Sequence, residues 1–355
     1  MRLPSRFQYY RRILPAYLGS GRSQLTFWHE TPQINPQATK AEFGPYYMLF
    51  REKADYAGRY DHDGIPMLDY RGSIGLQYNP IAIAQWGLAN FNIFCSTRND
   101  SRRQKTVRAA DWLVANLERN SHGLWVWHHH FDWEYRERLK APWYSGLAQG
   151  QGVSLLLRAY AESRDDKYLA AARRAFISLA KPIAEGGVLI EDEQHDLWIE
   201  EYLVDPPTHI LNGFIWALWG VFDFWLAGDC GMRIHEQETG NASCNHEISN
   251  AGALAQDSGA SARCIFDRGV QTLLHNLVRY DTGYWSLYEQ SGTRLKMLAS
   301  PFYHRLHIVQ LRVMTLLTGD HRFNVFADRW QAYADRHVNY TRALIAKSVF
   351  KLLNY

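Results

Sequence analysis

The chain is poor in features that mark several classes of protein. It holds 4 cysteines in 355 residues, none in a Cys-x-x-Cys pair. This usage predicts reduced thiols rather than a disulfide framework, although a loop disulfide among Cys230, Cys244 and Cys264 is an alternative. The net charge of +3 is too small to indicate nucleic-acid binding. It is compatible with an acidic ligand.

Long apolar runs are also missing. Residues 1–19 mix arginines with aromatic residues and lack the continuous apolar core of a secretory signal. The most apolar run, 213–226, is too short to cross a bilayer and contains Asp223. We therefore expect a cytoplasmic protein. The basic, aromatic start leaves two interpretations: contact with a membrane surface, or an arm that packs on the protein or on a second copy in a homodimer.

Aromatic residues, by contrast, are abundant. They make up 14% of the chain, with 13 tryptophans and 21 tyrosines. Part of this excess belongs to the core, but Trp and Tyr rings also form flat platforms for sugars and keep a polar edge for hydroxyl groups. The composition therefore favours a carbohydrate ligand.

Four stretches of the chain repeat one plan, in which an aromatic and polar opening precedes an apolar helical run. The openings at Tyr78, Trp143 and His209 lie 65 and 66 residues apart, and the fourth, at Tyr303, follows an insertion. The apolar runs after them are 81–91, 147–160, 214–226 and 308–317. Repeats of this kind indicate stacked helical units.

The repeat predicts a mainly α-helical fold. We expect an incomplete (α/α) toroid of about four helical hairpins, with short β-strands at the cleft and an irregular N-terminal arm. The arm covers residues 1–65 and the toroid 66–355, with a flexible insertion near 229–263. The expected short strands are 67–70, 123–127, 187–190 and 283–288. Such a fold hosts hydrolases, lyases and epimerases alike.

The short sequence motifs at these openings resemble those of the C-terminal catalytic domain of the D-glucuronyl C5-epimerase family. The similarity covers roughly residues 65–340, and its strings keep the family's order and approximate spacing. The strings include Tyr78-Asn79-Pro80, Trp143-Tyr144-Ser145, Gln149-Gly150-Gln151-Gly152, Glu200-Glu201-Tyr202, Leu211-Asn212-Gly213-Phe214, Tyr280-Asp281-Thr282-Gly283, and Tyr303-His304 followed by His307 and Gln310.

The resemblance implies an isomerase that inverts C5 of D-glucuronic acid within an acidic, heparosan-like polysaccharide and gives L-iduronic acid. This reaction removes a proton next to a carboxylate and returns it on the other face, so it needs an acid and a base on opposite sides. The enolate-like intermediate needs donors or cations. No organic cofactor is required. Some family members carry a structural calcium, whose ligands we cannot place in this sequence.

Five residues are the catalytic candidates implied by the resemblance. Tyr202, Tyr288 and Tyr303 stand where the family has its functional tyrosines, and a phenol can donate a proton to a carbanion. Glu201 either orients Tyr202 or acts as the base. Glu134 lies near the position of a functional acid in the family. Each residue also has a structural interpretation, as a core or platform ring or as a structural hydrogen-bond acceptor.

The substrate-binding candidates share polar or aromatic side chains near the openings. His304 and His307 lie one helical turn apart and share a face, where they either bind the uronate or are satisfied core histidines. Arg305 departs from the family's smaller residue and either binds a carboxylate or faces solvent. The full set is Tyr78, His128, His130, Trp143, Gln149, Asn212, His304, Arg305 and His307.

A metal site is the alternative for one of these groups. In an extended segment, His128 and His130 share a face and have Asp132 nearby. Two histidines and one acid at this loose spacing are a weak zinc signal, so we favour a sugar groove and predict no metal there.

Three other functions remain open. A polysaccharide lyase shares the removal of the C5 proton but then expels the C4 substituent. A glycoside hydrolase needs two carboxylates that flank the bond, and Glu134 with Glu201 would be that pair. A glycan-binding module would bind the acidic polysaccharide without chemistry.

Overall fold

The computed structural model describes residues 27–41, 43–229 and 258–354. These residues are mainly helical, as predicted. The helices are α1 Arg51–Ala54, α2 Pro80–Thr97, α3 Asp100–Ala115, α4 Gly146–Ser163, α5 Asp166–Leu179, α6 Leu211–Asp229, α7 Ser258–Tyr280, α8 Pro301–Thr318, α9 Arg322–Ala334 and α10 His337–Asn354. The strands are β1 Arg59–Tyr60, β2 Pro66–Asp69, β3 Leu76–Gln77, β4 Glu118–Arg119, β5 Trp125–Val126, β6 Trp133–Glu134, β7 Arg138–Leu139, β8 Leu189–Glu191 and β9 Leu197–Ile199.

Tight turns join the two helices of a hairpin. The first helix ends at a residue in the left-handed conformation: Arg98 after α2 and Arg164 after α4, at φ values of 54° and 58°. The next residue caps the second helix, because the side chains of Asn99 and Asp165 accept hydrogen bonds from backbone N–H groups at the start of α3 and α5. Local sequence therefore encodes these hairpins.

The first helices of the four hairpins form the inner wall of the fold. Helices α2, α4, α6 and α8 pack against one another in chain order, and α4 approaches α6 closely where Gly150 meets Gly220. A Cβ atom on Gly220 would lie 2.3 Å from the carbonyl oxygen of Gly150, so no larger residue fits there. Asn79, Ser145 and Ser300 cap the starts of α2, α4 and α8.

The N-terminal segment 27–54 packs as part of this wall. The hydroxyl of Tyr47, which is buried in the main core, donates to the carboxylate of Asp223 on α6 at 2.6 Å. The ring of His29 packs against Phe302 on α8 at 5.2 Å, and α1 packs on α2. The described residues of the segment are irregular as predicted, and they contact helices at both ends of the inner wall, as in the interpretation of an arm that packs on the protein.

Short antiparallel strands connect the hairpins. They form one three-stranded sheet, β1-β2-β3, and the pairs β4-β5, β6-β7 and β8-β9. The strands predicted at 67–70, 123–127 and 187–190 are found, within a few residues, as β2, β5 and β8. Residues 283–288 form only isolated bridges, because Gly283, at a φ of 80°, turns the chain sharply.

Several predictions fall partly on residues outside the described ranges. Of the predicted insertion 229–263, residues 258–263 already belong to α7, and 230–257, with Cys230 and Cys244, are not described. The proposed membrane contact of residues 1–19 also lies outside the described part. No helix in the described part of the chain is long and apolar enough to cross a membrane.

Candidate acid–base site in the cavity of the helical ring

A cavity with a volume of about 200 Å³ lies where the inner helices begin. Its lining includes residues from the first turns of α2, α4, α6 and α8, together with residues from 27–54 and from α10. Ligand pockets run from roughly 300 to 1,000 Å³, so the cavity enclosed by the described residues is small.

Glu201 is the central titratable group of the cavity. It follows β9, is 5% exposed, and its carboxylate lies over Gly213, where a Cβ atom would come within 2.2 Å of Oε2. Burial raises the pKa of Glu201 to about 8; a hydrogen bond with Tyr202 opposes the shift and the charge of Glu200 adds to it. A carboxyl group with such a pKa exchanges its proton readily near neutral pH.

The neighbouring residue Glu200 fixes the turn that presents Glu201. Its carboxylate accepts hydrogen bonds from the backbone N–H of His209 at 3.1 Å and from Nδ1 of the same histidine at 2.5 Å. The His209 ring stacks on Trp198, and its backbone has the strained positive φ of 48°. These contacts hold the segment between β9 and α6 in one conformation.

The three predicted tyrosines all line this cavity. Tyr303 lies in the first turn of α8, and its ring contacts that of Tyr288 edge-on at 4.9 Å. Burial raises the pKa of Tyr288 well above its ordinary value, and nearby Glu201 adds to the shift, so this phenol stays protonated and can donate. The Tyr202 ring packs against Tyr135 at 4.5 Å.

Glu134, Trp143 and Asn212 complete the group of predicted residues that line the cavity. The Asn212 side chain donates to Oε2 of Glu201 at 3.4 Å. The Trp143 ring stacks on His129 at 3.8 Å and 4°. The sequence therefore identified one acid–tyrosine cluster and an aromatic wall beside it.

The other residues predicted around Tyr303 do not line the cavity. His304 and His307 are buried on a different face of α8, where both lie within hydrogen-bond distance of the Ser286 hydroxyl. Burial lowers the pKa of His304 to about 4 and that of His307 well below its usual value, so both rings are neutral core groups. Arg305 is exposed. Each residue of a helix points more than a quarter circle away from the one before it. The side chains that follow Tyr303 in sequence therefore face different surroundings from those of Tyr303.

The histidine run shows the same effect in an extended segment. His128 and His130 do share a face, but that face points at Glu118, with ring nitrogens 2.9 and 3.3 Å from its carboxylate. His129 points the other way and lines the cavity, because side chains alternate in extended backbone. Asp132 lies 3.1 Å from the ammonium of a nearby lysine rather than beside the histidines.

Two more predicted binding residues have structural contacts outside the cavity lining. The side-chain amide of Gln149 is fully buried, accepts from the backbone N–H of Trp127 and donates to Ser178, which ties α4 to α5. Tyr78 is exposed and donates to Asp61 at 2.7 Å. Their positions lend no support to a contact with a sugar in the cavity.

The calcium implied by the resemblance still has no assigned ligands. Among the described residues, Asp61, His62 and Asp63 bring ligand atoms within 4.8 Å of one another in an exposed turn. Asp61 already accepts from two backbone N–H groups of that turn, which accounts for the local geometry without an ion.

The sequence missed the cationic residues of the cavity. Lys53 of α1 and Lys347 of α10 both belong to its lining. Burial lowers the pKa of Lys53 to about 8, against the opposing effect of Glu30. The Lys347 ammonium lies 5.2 Å from the centre of the Tyr288 ring. Neither lysine lies in a repeat opening or a resemblance string, so no signal in the sequence could have identified them.

An incomplete ring of helical hairpins, with a buried carboxyl and several tyrosines in its cavity, defines an (α/α) toroid. The family described as D-glucuronyl C5-epimerase C-terminus matches residues 119–332. Because this match spans more than half of the chain, the chain belongs to that family.

Two relatives extend the comparison. The chain is 31% identical over 241 residues to the D-glucuronyl C5-epimerase of Caenorhabditis elegans, a match that covers 67% of this chain and 36% of the relative. It is 26% identical over 228 residues to an uncharacterized protein of Methanocaldococcus jannaschii, over 63% of each protein. The chain thus spans less than two thirds of either relative.

Proposed function

We propose that the chain is a uronate C5-epimerase that converts D-glucuronic acid to L-iduronic acid units in an acidic, heparosan-like polysaccharide. The observation that carries the proposal is the buried Glu201, with its pKa near 8, in one cavity with Tyr202, Tyr288 and Tyr303. Membership of the family supports the same class of reaction.

In this proposal Glu201 and Tyr303 act on opposite faces of the uronate. The ionised carboxylate of Glu201 removes the C5 proton, and the electron pair of the C–H bond moves toward the substrate carboxylate to form an enolate. The Tyr303 hydroxyl then returns a proton to the other face of C5. Tyr202 hydrogen-bonds to Glu201 and holds it in position. A pKa near 8 lets a carboxyl act as base or as acid at neutral pH.

The surroundings favour the negative charge that develops on the substrate. Lys53 and Lys347 belong to the cavity lining, where their ammonium groups donate to the backbone carbonyls of Phe27 and Leu298. The Tyr288 hydroxyl is held in its protonated, donating form. The first turns of the inner helices contribute the positive ends of their dipoles. Preorganised donors of this kind stabilise an enolate without reorganisation of solvent. Proton transfer of this kind needs no organic cofactor.

The test is incubation with heparosan and other glucuronate polymers in heavy water, followed by NMR. An epimerase gives iduronate signals and deuterium at C5 and leaves the chain length unchanged. A shortened polymer with near-ultraviolet absorbance would instead indicate a lyase, and new reducing ends would indicate a hydrolase. Binding without any exchange would leave only a glycan-binding module.

A further inference from the structure

Among the described residues, the inner helices contribute three buried polar atoms of the cavity lining that make no hydrogen bond. They are Oε1 of Gln85 on α2, and Oδ1 of Asn212 and Nε1 of Trp216, both on α6. Buried polar groups in folded proteins almost always have a partner. Three such atoms in one cavity therefore point to a polar ligand that supplies the missing hydrogen bonds.

The side chains that carry these atoms are already held in place. The Gln85 amide donates from Nε2 to Oε1 of Gln151 at 2.9 Å, which leaves its own oxygen as an open acceptor. Asn212 donates from Nδ2 to Glu201, and its backbone carbonyl accepts from Gln310 at 2.9 Å. Fixed side chains with one open atom each are preorganised for a ligand.

We propose that Gln85, Asn212 and Trp216 bind hydroxyl groups of the uronate ring and determine which sugar the cavity accepts. The inference rests on the proposed function, because it places the reacting ring in the cavity beside Glu201. The donor and acceptor pattern fits a hydroxyl group, which donates to an amide oxygen and accepts from the indole N–H. Since Asn212 also contacts Glu201, the hydroxyl contacts fix the ring relative to the base.

Trp216→Phe is the sharpest variant, because it removes the indole N–H and keeps an aromatic ring. Its matched control is Trp330→Phe. Trp330 is fully buried and its Nε1 also makes no hydrogen bond, but it is not part of the cavity lining. The two variants lose the same chemical group, so any loss of stability common to both is separated from a loss of recognition.

The experiment titrates methyl β-D-glucuronide, and its derivatives deoxygenated at C2, C3 or C4, into the full chain by NMR. One lost hydrogen bond corresponds to roughly 3- to 10-fold in Kd. We expect the wild type to bind at least one deoxy derivative weaker by this factor. Trp216→Phe should weaken binding of methyl β-D-glucuronide to the same extent. The variant and the wild type should bind the discriminated deoxy derivative equally well. Trp330→Phe should keep the wild-type pattern.

Two results would overturn the inference. One is equal binding of methyl β-D-glucuronide and all its deoxy derivatives by the wild type, a measurement that does not depend on any variant folding. The other is a folded Trp216→Phe variant that keeps the full preference for methyl β-D-glucuronide over the deoxy derivative. That result is expected if water, and not the sugar, bonds to these three side chains. C5 exchange without hydroxyl discrimination would remove only this inference. Discrimination without any C5 exchange would remove only the proposed epimerase activity.

Discussion

Two clusters of buried titratable groups lie on either side of Tyr303, and they differ in what surrounds them. Glu201 opens to the cavity, where Tyr202 and Asn212 are its neighbours. The His304 ring, with His307 beside it, is enclosed in the core and bonded to protein groups, including the backbone carbonyl of Trp330 at 3.0 Å. Both clusters are predicted from the sequence to belong to the site, but in the structure only Glu201 lines the cavity.

The difference also gives the two clusters opposite dependence on pH. The folded pKa of Glu201, about 8, lies above the ordinary carboxyl value of 4.5, so stability falls as pH rises from about 4.5 to 8. The folded pKa of His304, about 4, lies below the ordinary imidazole value of 6.5, so stability falls as pH decreases from about 6.5 to 4. A carboxyl that weakens the fold at neutral pH is expected where function requires it.

Glu201→Gln should have the largest effect and should separate activity from stability. Loss of a general acid–base group lowers rates by about 10²- to 10⁴-fold, so C5 exchange should nearly vanish. At pH 7 the neutral amide should raise the free energy of unfolding by about 3 kcal/mol, from 1.36 kcal/mol per pKa unit. Denaturant unfolding at pH 7 measures this, with the exposed Glu185→Gln as control. An active or destabilised variant would contradict the assignment.

Tyr303→Phe comes next, because it removes the proposed proton donor and little volume. We expect a loss of C5 exchange of about 10²-fold, with an unchanged circular dichroism spectrum. Tyr202→Phe, which removes the hydrogen bond to Glu201, should lose activity as well and shift the pH profile. If both variants kept full activity, the proposed proton transfer would be wrong.

His304→Phe tests the core cluster. The variant leaves the backbone N–H of Ser286 and the Trp330 carbonyl without their buried partner, so we expect a loss of about 2 kcal/mol in unfolding free energy. The rate of C5 exchange per folded molecule should fall far less than in Tyr303→Phe. A variant that was stable but inactive would show that His304 takes part in the reaction rather than only in the core.

Acid unfolding sharpens the same contrast. Burial lowers the pKa of His129, His304 and His307 in the folded protein. Between pH 6.5 and 5 these histidines therefore become protonated in the unfolded chain but stay neutral in the folded one. Each histidine should lower stability by about 1.4 kcal/mol per pH unit as pH falls, and Glu201 should oppose this by about the same amount as one histidine. Unfolding curves across this range measure the slope, which should be smaller by one histidine in His304→Phe. An equal slope would show that His304 does not contribute.

Arg305→Ala should have the smallest effect. Arg305 is exposed and lies outside the cavity lining, so we expect kcat/KM for the polymer to change by less than about twofold and stability by less than about 0.5 kcal/mol. A large rise in KM without a change in stability would show that the polymer extends across this surface.

The sequence predicted the parts of the fold that depend on local signals. The helical hairpins follow from apolar runs, caps such as Asn99 and Asp165, and turn residues, all of which act within a few positions. Tyr202 and Tyr303 were identified through resemblance strings. The face of α8 that carries His304 was not predictable, because both faces of an inner helix are buried and the apolar pattern does not distinguish them.

Long-range packing accounts for what the sequence missed. Segment 27–54 has no periodic pattern, yet it places Lys53 at the cavity through contacts with helices distant in sequence. His129 reaches the cavity because it stacks on Trp143, a pairing set by one antiparallel bridge. Such contacts depend on how whole elements dock, and neighbouring residues do not encode them.

The most direct measurement is deuterium incorporation at C5 of heparosan by the wild type and by Glu201→Gln, at equal concentrations of folded protein in heavy water. The account predicts that the wild type incorporates deuterium and forms iduronate, while the variant, although more stable at pH 7, incorporates almost none. Equal incorporation by both proteins, or none by the wild type on any glucuronate polymer, would contradict it.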